Sequence, residues 1–133
     1  MLTKEQIADA AQRLDDAERA RRQIGQLSLQ YPQMTIEDGY AIQKSWVAAK
    51  IAAGRTMVGH KIGLTSKAMQ SASQISEPDF GTLLDDMVFA DGTDIPMARF
   101  IVPMVEVELA FILGRRLEGA NVTIFDVLSA TDY

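Results

Sequence analysis

The run Met57-Val58-Gly59-His60-Lys61-Ile62-Gly63-Leu64 decides the fold class. It is short and apolar, with glycines inside it, and reads as a strand. A glycine within a strand marks a bulge, or a place where backbone or ligand comes close. Successive strand residues face opposite ways, so His60 and Lys61 are on opposite faces. His60 then reads as a packed or surface histidine and not as a base. Lys61 can pair with a substrate carboxylate or an enolate oxygen. The plainer alternative is a surface lysine on a strand.

Upstream of this run the pattern is helical. Thr3 and Gln6 form a capping-box pair. Ile7, Ala11, Leu14, Ala17 and Ile24 recur near the helical period, which predicts a helix from about 4 to 24. Asp9/Arg13, Asp15/Arg19 and Glu18/Arg22 are acid-then-base pairs four residues apart, expected on its outer, solvated face. Tyr31-Pro32-Gln33 breaks the chain. Thr35 is a second N-cap, with Glu37 and Asp38 in the first turn, where the helix dipole favours them. Tyr40, Trp46, Val47 and Ile51 give a second helix over about 36 to 53 its apolar weight, and Gly54 is placed to stop it. Trp46 is expected in the core.

Downstream the chain reads as mixed. Thr65 or Ser66 caps a short helix through Ala72. Ser76-Glu77-Pro78-Asp79-Phe80-Gly81 reads as a loop by its proline and glycine. Asp79 is either a carboxylate aimed into a site or an ordinary turn former. Short strands are expected at Thr82–Leu84, Met87–Phe89 and Asp94–Ile95, with Asp91-Gly92 as a hairpin signal between the last two. Asp85-Asp86 reads as turn chemistry. A short helix is expected near Ile124–Leu128.

The clearest alternation runs from Val105 to Leu113. Val105, Val107, Leu109, Phe111 and Leu113 share one face; Glu106, Glu108, Ala110 and Ile112 share the other. On a strand, Glu106 and Glu108 lie about 7 Å apart on one face and can lean onto one cation. Oxygen donors alone suit Mg²⁺, Mn²⁺ or Ca²⁺ better than zinc or copper. The plainer alternative is two exposed glutamates on a wet sheet face. That face continues as Ala110 and Ile112, so it is not uniformly polar, and acids at its edge need water, a cation or basic partners.

Composition narrows the function classes. The 133 residues carry a net charge of −5, with no basic block, which argues against nucleic acid and against an anionic membrane surface. There is no cysteine and one histidine, which excludes disulfides, thiolate catalysis, cysteine-based zinc sites and a histidine-pair metal site. The N-terminus enters a charged helical stretch and not an apolar leader core. The stretch Ile101 to Leu113 is interrupted by Glu106 and Glu108 and is too short to span a bilayer. The cysteine-free composition fits the cytosol.

Gly59-His60-Lys61-Ile62-Gly63-Leu64-Thr65-Ser66, Ser73-Gln74-Ile75-Ser76-Glu77-Pro78-Asp79-Phe80-Gly81, Leu83-Leu84-Asp85-Asp86-Met87 and Val105-Glu106-Val107-Glu108-Leu109-Ala110-Phe111 together carry a resemblance. The chain resembles the 2-oxo-acid hydratases and decarboxylases of aromatic meta-cleavage pathways, in the fumarylacetoacetate hydrolase superfamily. The resemblance implies an α+β fold: a helical region over 1–55, then part of a mixed β-roll over 56–133. It implies Mg²⁺ or Mn²⁺ chelating a 2-oxo acid substrate, with Glu106 and Glu108 as two metal ligands. It makes Lys61 a candidate to stabilise the enolate or carboxylate, and Asp79 a candidate to move protons or orient water. The activity implied is a hydratase, with a decarboxylase or a catalytically inert interaction module as alternatives. It also implies a cytoplasmic homo-oligomer, with a partner decarboxylase as a possible associate.

The family's chains are about twice as long, so these residues correspond to an N-terminal half, with a third carboxylate ligand beyond them. Met104 departs from the family, which usually carries a basic residue there. The apolar face of Val105–Leu113 is then expected to seek strand partners in another chain.

Overall fold

Helix α1 (Lys4–Ala20) starts where Thr3 turns the chain. The Gln6 amide donates to Thr3 Oγ1 at 3.2 Å and the Thr3 amide donates to Gln6 Oε1 at 2.8 Å, the reciprocal pair that the sequence predicts. The helix stops earlier than the apolar spacing predicts. Arg21 takes a left-handed conformation, φ 53°, and the Arg22 amide returns to the Ala17 carbonyl at 3.0 Å. That Schellman-type closure satisfies the last carbonyls and leaves Ile24 outside the helix. A single turn, α2 (Leu27–Gln30), follows, which the sequence reading does not anticipate.

Helix α3 (Ile36–Ala52) repeats the capping box with Thr35 and Asp38, and Gly54 closes it at φ 97°. Asp38 is buried and also accepts the Leu2 amide at 2.9 Å, which ties the N-terminus to α3. These backbone donors, Leu2 foremost and then Thr35, hold the Asp38 carboxyl below the usual carboxylate range.

Helices α1 and α3 pack on each other. Leu2, Ala10, Ala11, Tyr31 and Ile42 are buried together, with Ile7, Leu14, Leu27, Met34 and Trp46 packed against them. Burial of a large aliphatic side chain such as Ile42 stabilises by about 1.5–3 kcal/mol. Small alanines on α1 let the helices approach. Trp46 lies against this core as expected. Asp15 does not lie on the solvated face: it is buried, accepts the Trp46 indole N–H at 3.0 Å and pairs with Arg19 at 2.7 Å and Lys50 at 3.8 Å. The indole needs an acceptor once it is inside, and α1 provides one. Glu18 pairs with Lys50 across the two helices.

Strand β1 (Met57–Gly63) pairs antiparallel with β2 (Asp79–Leu84) around the short helix α4 (Lys67–Ser73). The Ser66 side chain accepts the Met69 amide at 3.2 Å, so Ser66, not Thr65, is the cap. The register sets His60 against Thr82, Lys61 against Gly81, Ile62 against Phe80 and Gly63 against Asp79, with an irregularity between Met57 and Gly59. Asp79-Phe80-Gly81 is therefore strand and not loop. A neighbouring strand supplies partners for its amides, and that long-range pairing outweighs the local turn composition.

The expected strands at Met87–Phe89 and Asp94–Ile95 do not form. Asp85–Met87 is a 3₁₀ turn, and Asp91-Gly92 makes a plain turn closed by the Thr93 amide to the Ala90 carbonyl at 3.2 Å. Arg55 and Arg99 converge on the Asp86 carboxylate at 3.3 and 3.8 Å and fasten this segment.

The computed structural model describes residues 1–133 as two units, Met1–Val102 and Pro103–Tyr133. In the second, α5 (Ile124–Ala130) has its own capping box between Thr123 and Asp126. The expected strand Val105–Leu113 is not a sheet strand. Only its end pairs: Leu113 bridges Thr131, the Ile112 amide donates to the Tyr133 carbonyl at 2.8 Å, and the Asp132 amide donates to the Ile112 carbonyl at 2.8 Å. Val105, Val107 and Leu109 are 94%, 98% and 89% exposed, so the alternation is present without the neighbour that would make it a ladder.

Candidate active site

The β1–β2 hairpin has two unlike faces, and the register says which residues share each. Directly opposed residues of an antiparallel pair project to the same side. One face carries His60, Ile62, Phe80 and Thr82. It packs on α3: the Phe80 ring stacks on Tyr40 at 4.8 Å, and Thr82 donates to Gln43 Oε1 at 3.3 Å. The Gln43 amide also donates to the Phe80 carbonyl at 3.0 Å. His60 is exposed and meets Phe80 edge-on at 5.9 Å.

The other face carries Lys61 and Asp79. Lys61 lies opposite Gly81, and Gly63 lies opposite Asp79, so the lysine and the aspartate are diagonal neighbours. Diagonal positions of this kind are roughly 7–8 Å apart. Both residues are exposed. A cation and a carboxylate are thus brought to one open surface, although they are eighteen positions apart in the chain. The sequence reading treats Asp79 as a loop residue and passes over Gly81. The signal for both is the two-residue spacing of Asp79, Gly81 and Leu83, which places them on one side of a strand.

Glu106 and Glu108 belong to the second unit, on the exposed stretch that forms no strand. Met104 beside them is 85% exposed. No group of three or more histidine, aspartate or glutamate side chains converges as a complete metal site. The pair nonetheless fits a hard cation by donor chemistry: two carboxylates, one residue apart, able to fill two of the roughly six oxygen positions that such an ion takes. A shallow groove of about 530 Å³ in the same unit is lined by Arg115, Arg116, Glu118, Asn121 and Asp126, and by none of the four candidate residues.

Comparison with known proteins follows the same residues. No protein-family model matches the chain. A 2-oxo-hept-4-ene-1,7-dioate hydratase from Escherichia coli is 68% identical over 123 residues, 92% of this chain and 46% of the relative. Over that stretch the chain is similar to about half of that hydratase. A second hydratase, the 2-keto-4-pentenoate hydratase of Paraburkholderia xenovorans (strain LB400), is 42% identical over 99% of this chain and 49% of its own length. The chain thus spans about half the length of the curated hydratases it matches.

Solved structures of the 4-oxalocrotonate decarboxylase from Pseudomonas putida G7, one complexed with magnesium and adipate and one with calcium and acetate, superpose with a TM-score of 0.95. They share 32% identity and cover 100% of this chain and 51% of theirs. The helices and small antiparallel sheet described above are therefore an arrangement that this chain shares with about half of that decarboxylase.

Proposed function

We propose that this chain supplies the N-terminal half of a metal-dependent hydro-lyase that adds water to a 2-oxo-alkenoate such as 2-oxo-hept-4-ene-1,7-dioate. The observation that carries this is the 68% identity to a hydratase of that substrate across 92% of the chain. Residues 1–55 are read as a helical region and 56–133 as part of a catalytic β-roll. The working form is read as a cytoplasmic homo-oligomer able to associate with a partner decarboxylase.

Glu106 and Glu108 are proposed to hold Mg²⁺ or Mn²⁺. Magnesium is supported by the metal named for the decarboxylase neighbour, and the two oxygens suit either ion. When bound, such an ion acts as a Lewis acid toward the 2-oxo group and fixes its orientation. Lys61 places an ammonium where negative charge grows on the enolate or carboxylate oxygens. As the dienol becomes the conjugated ketone its hydroxyl oxygen loses a proton and a chain carbon gains one; Asp79 moves that proton, or holds the water that then adds. In that addition the hydroxyl goes to the far carbon of the double bond and a proton goes to the carbon beside the carbonyl.

The second reading is a 2-oxo-acid decarboxylase, favoured by the fold shared with the decarboxylase from Pseudomonas putida G7. Both chemistries pass through an enolate, so the products separate them. An assay on the assembled enzyme should show one water gained per substrate and no CO₂ released. CO₂ release would move the assignment to decarboxylase. No turnover of either kind, together with retained binding to a full-length subunit, would leave the chain an interaction module.

A further inference from the structure

The connection between β1 and β2 has a polar centre. Gln70 is its only buried residue. The Gln70 side-chain amide donates to the Leu64 carbonyl at 2.7 Å, and the Lys67 ammonium donates to Gln70 Oε1 at 3.1 Å. An ammonium can only donate and a carbonyl can only accept, so these two neighbours fix which end of the amide is which. The Gln70 backbone amide donates to the Ser66 carbonyl at 3.0 Å, and its carbonyl accepts the Ile75 amide at 3.1 Å. Gln70 thus holds the chain both where it enters α4 and where it leaves.

Both of those places are left-handed: Leu64 has φ 53° and Gln74 φ 57°. Gln74 ends the helix, a common use of that conformation. Leu64 ends no helix. It joins the last residue of β1 to the turn before α4, and a bulky leucine is strained there. Such strain persists only where the surroundings impose it. Gln70 imposes it here, because its amide fixes the direction of the Leu64 carbonyl. Leu64 adjoins Gly63, and the Asp79 carboxylate occupies the volume that a side chain at Gly63 would fill. A rotation at Leu64 therefore moves the backbone on which that carboxylate rests.

We propose that Gln70 is a positioning residue for the candidate site: by holding Leu64 left-handed it fixes Gly63, and through Gly63 it sets where the Asp79 carboxylate stands relative to Lys61. This rests on the reading of Lys61 and Asp79 as site residues. Gln70 acts through the backbone and not on substrate. The leucine has a part in this. Glycine would enter the left-handed turn without help and would leave it as freely. Leucine stays there only while the amide bond is made, so the turn has one setting. The strand ends that carry Lys61 and Asp79 are then set by one buried side chain in the connection between them.

The test removes the amide and watches the carboxylate. Gln70→Met keeps an unbranched side chain of similar length and loses the donor. In the isotopically labelled chain the Asp79 carboxyl carbon resonance should move, although the two residues are nine positions apart. In the assembled enzyme the same variant should lower kcat by roughly tenfold to a hundredfold, the scale of a small misplacement of catalytic groups, with KM nearly unchanged. Leu64→Asn added to Gln70→Met should restore both readings, because asparagine tolerates the left-handed conformation unaided. A role in packing alone predicts neither the moved resonance nor the rescue. If Gln70→Met unfolds the connection, Leu64→Val puts the same question with Gln70 intact. A β-branched residue resists the left-handed region, so the Asp79 resonance should move and kcat should fall. Leu64→Asn alone should leave the resonance in place. An Asp79 resonance unmoved in both Gln70→Met and Leu64→Val would overturn the proposal, as would unaltered kcat in Gln70→Met or failure of the Leu64→Asn rescue. An unaltered assembled enzyme that releases no hydrated product would sink the hydratase reading instead, and the resonances of the chain would still decide whether Gln70 sets Asp79.

Discussion

Two stretches of this chain carry the same period-two pattern and meet opposite fates. Met57–Gly63 finds Asp79–Leu84 and becomes a strand with one face packed on α3. Val105–Leu113 alternates more regularly, yet it pairs only at its last residues. The first has a partner within reach, joined by one short helix, and an apolar helix face to lie against. The second belongs to a unit of 31 residues (Pro103–Tyr133), in which Ala130 is the only buried hydrophobic residue. Chains below about 40 residues rarely build a sufficient core unaided. Alternation thus states which residues share a face; a neighbour decides whether that face becomes a sheet.

The largest test of the difference is catalytic. In the assembled enzyme, Glu106→Gln and Glu108→Gln should each lower turnover by at least about 100-fold, since even outer partners of metal ligands cost 10–100-fold. The melting temperature of the isolated chain should barely move. A titration of Mn²⁺ read by thermal shift separates the states further. Saturation of a formed site at 100 times its Kd stabilises by about 2.7 kcal/mol. A saturable shift abolished by Glu106→Gln would mean that the carboxylate pair binds within these residues alone; no shift would mean that binding requires ligands beyond these residues.

Truncations in the two stretches should differ next. Leu84 is 1% exposed at the end of β2, and Leu84→Ala should cost about 2–5 kcal/mol in a denaturant midpoint experiment. Leu109→Ala, at an 89% exposed position, should change stability by less than about 0.5 kcal/mol. A comparable loss at Leu109 would show that the stretch is packed against something in solution, and a concentration-dependent loss would identify a second chain as the cover. Amide exchange should agree, with slow exchange at Ile62 and Phe80 and near-unprotected exchange at Val107.

What could be read from the sequence divides along the same line. Thr3 with Gln6, Thr35 with Asp38, and the Thr65-Ser66 pair announce three helix starts, because a cap is a contact between residues three apart; which of Thr65 and Ser66 caps is decided by the structure. Gly54 announces a stop for the same local reason. The opposition of His60 and Lys61 is legible because a strand's period is local. Partners are not local. Nothing within Ser76–Gly81 says that Gly63 lies across from Asp79, so a strand end reads as a loop. Nothing beside Asp15 says that Trp46 will bring an indole N–H to it, so a buried acceptor reads as a solvated one. The candidate site divides in the same way. Lys61 and Asp79 are individually legible, their shared face is not, and the resemblance of motifs supplies what spacing cannot.

The smallest effect concerns acid. Asp38 accepts the amides of Leu2 and Thr35, and these bonds favour its charged form, so its folded pKa lies below the ordinary value. A group of this kind contributes its full stability above the ordinary carboxylate pKa of about 3.9 and loses it as pH falls through the lower folded value. The unit Met1–Val102 should therefore lose stability progressively below about pH 4. Asp38→Asn keeps a side-chain carbonyl that can accept one of these bonds but removes the charge, so its stability should depend less on pH over that window. Asp126 makes the matching cap on α5 and is lowered chiefly by the Thr123 side chain and then by its amide. Asp126→Asn should flatten only the acid response of α5 and leave the α1–α3 core unchanged. Helix content lost together from both units in acid would mean that the two caps do not act independently; loss of α5 signals at a different pH from Ile42 signals would show that each unit melts on its own carboxylate.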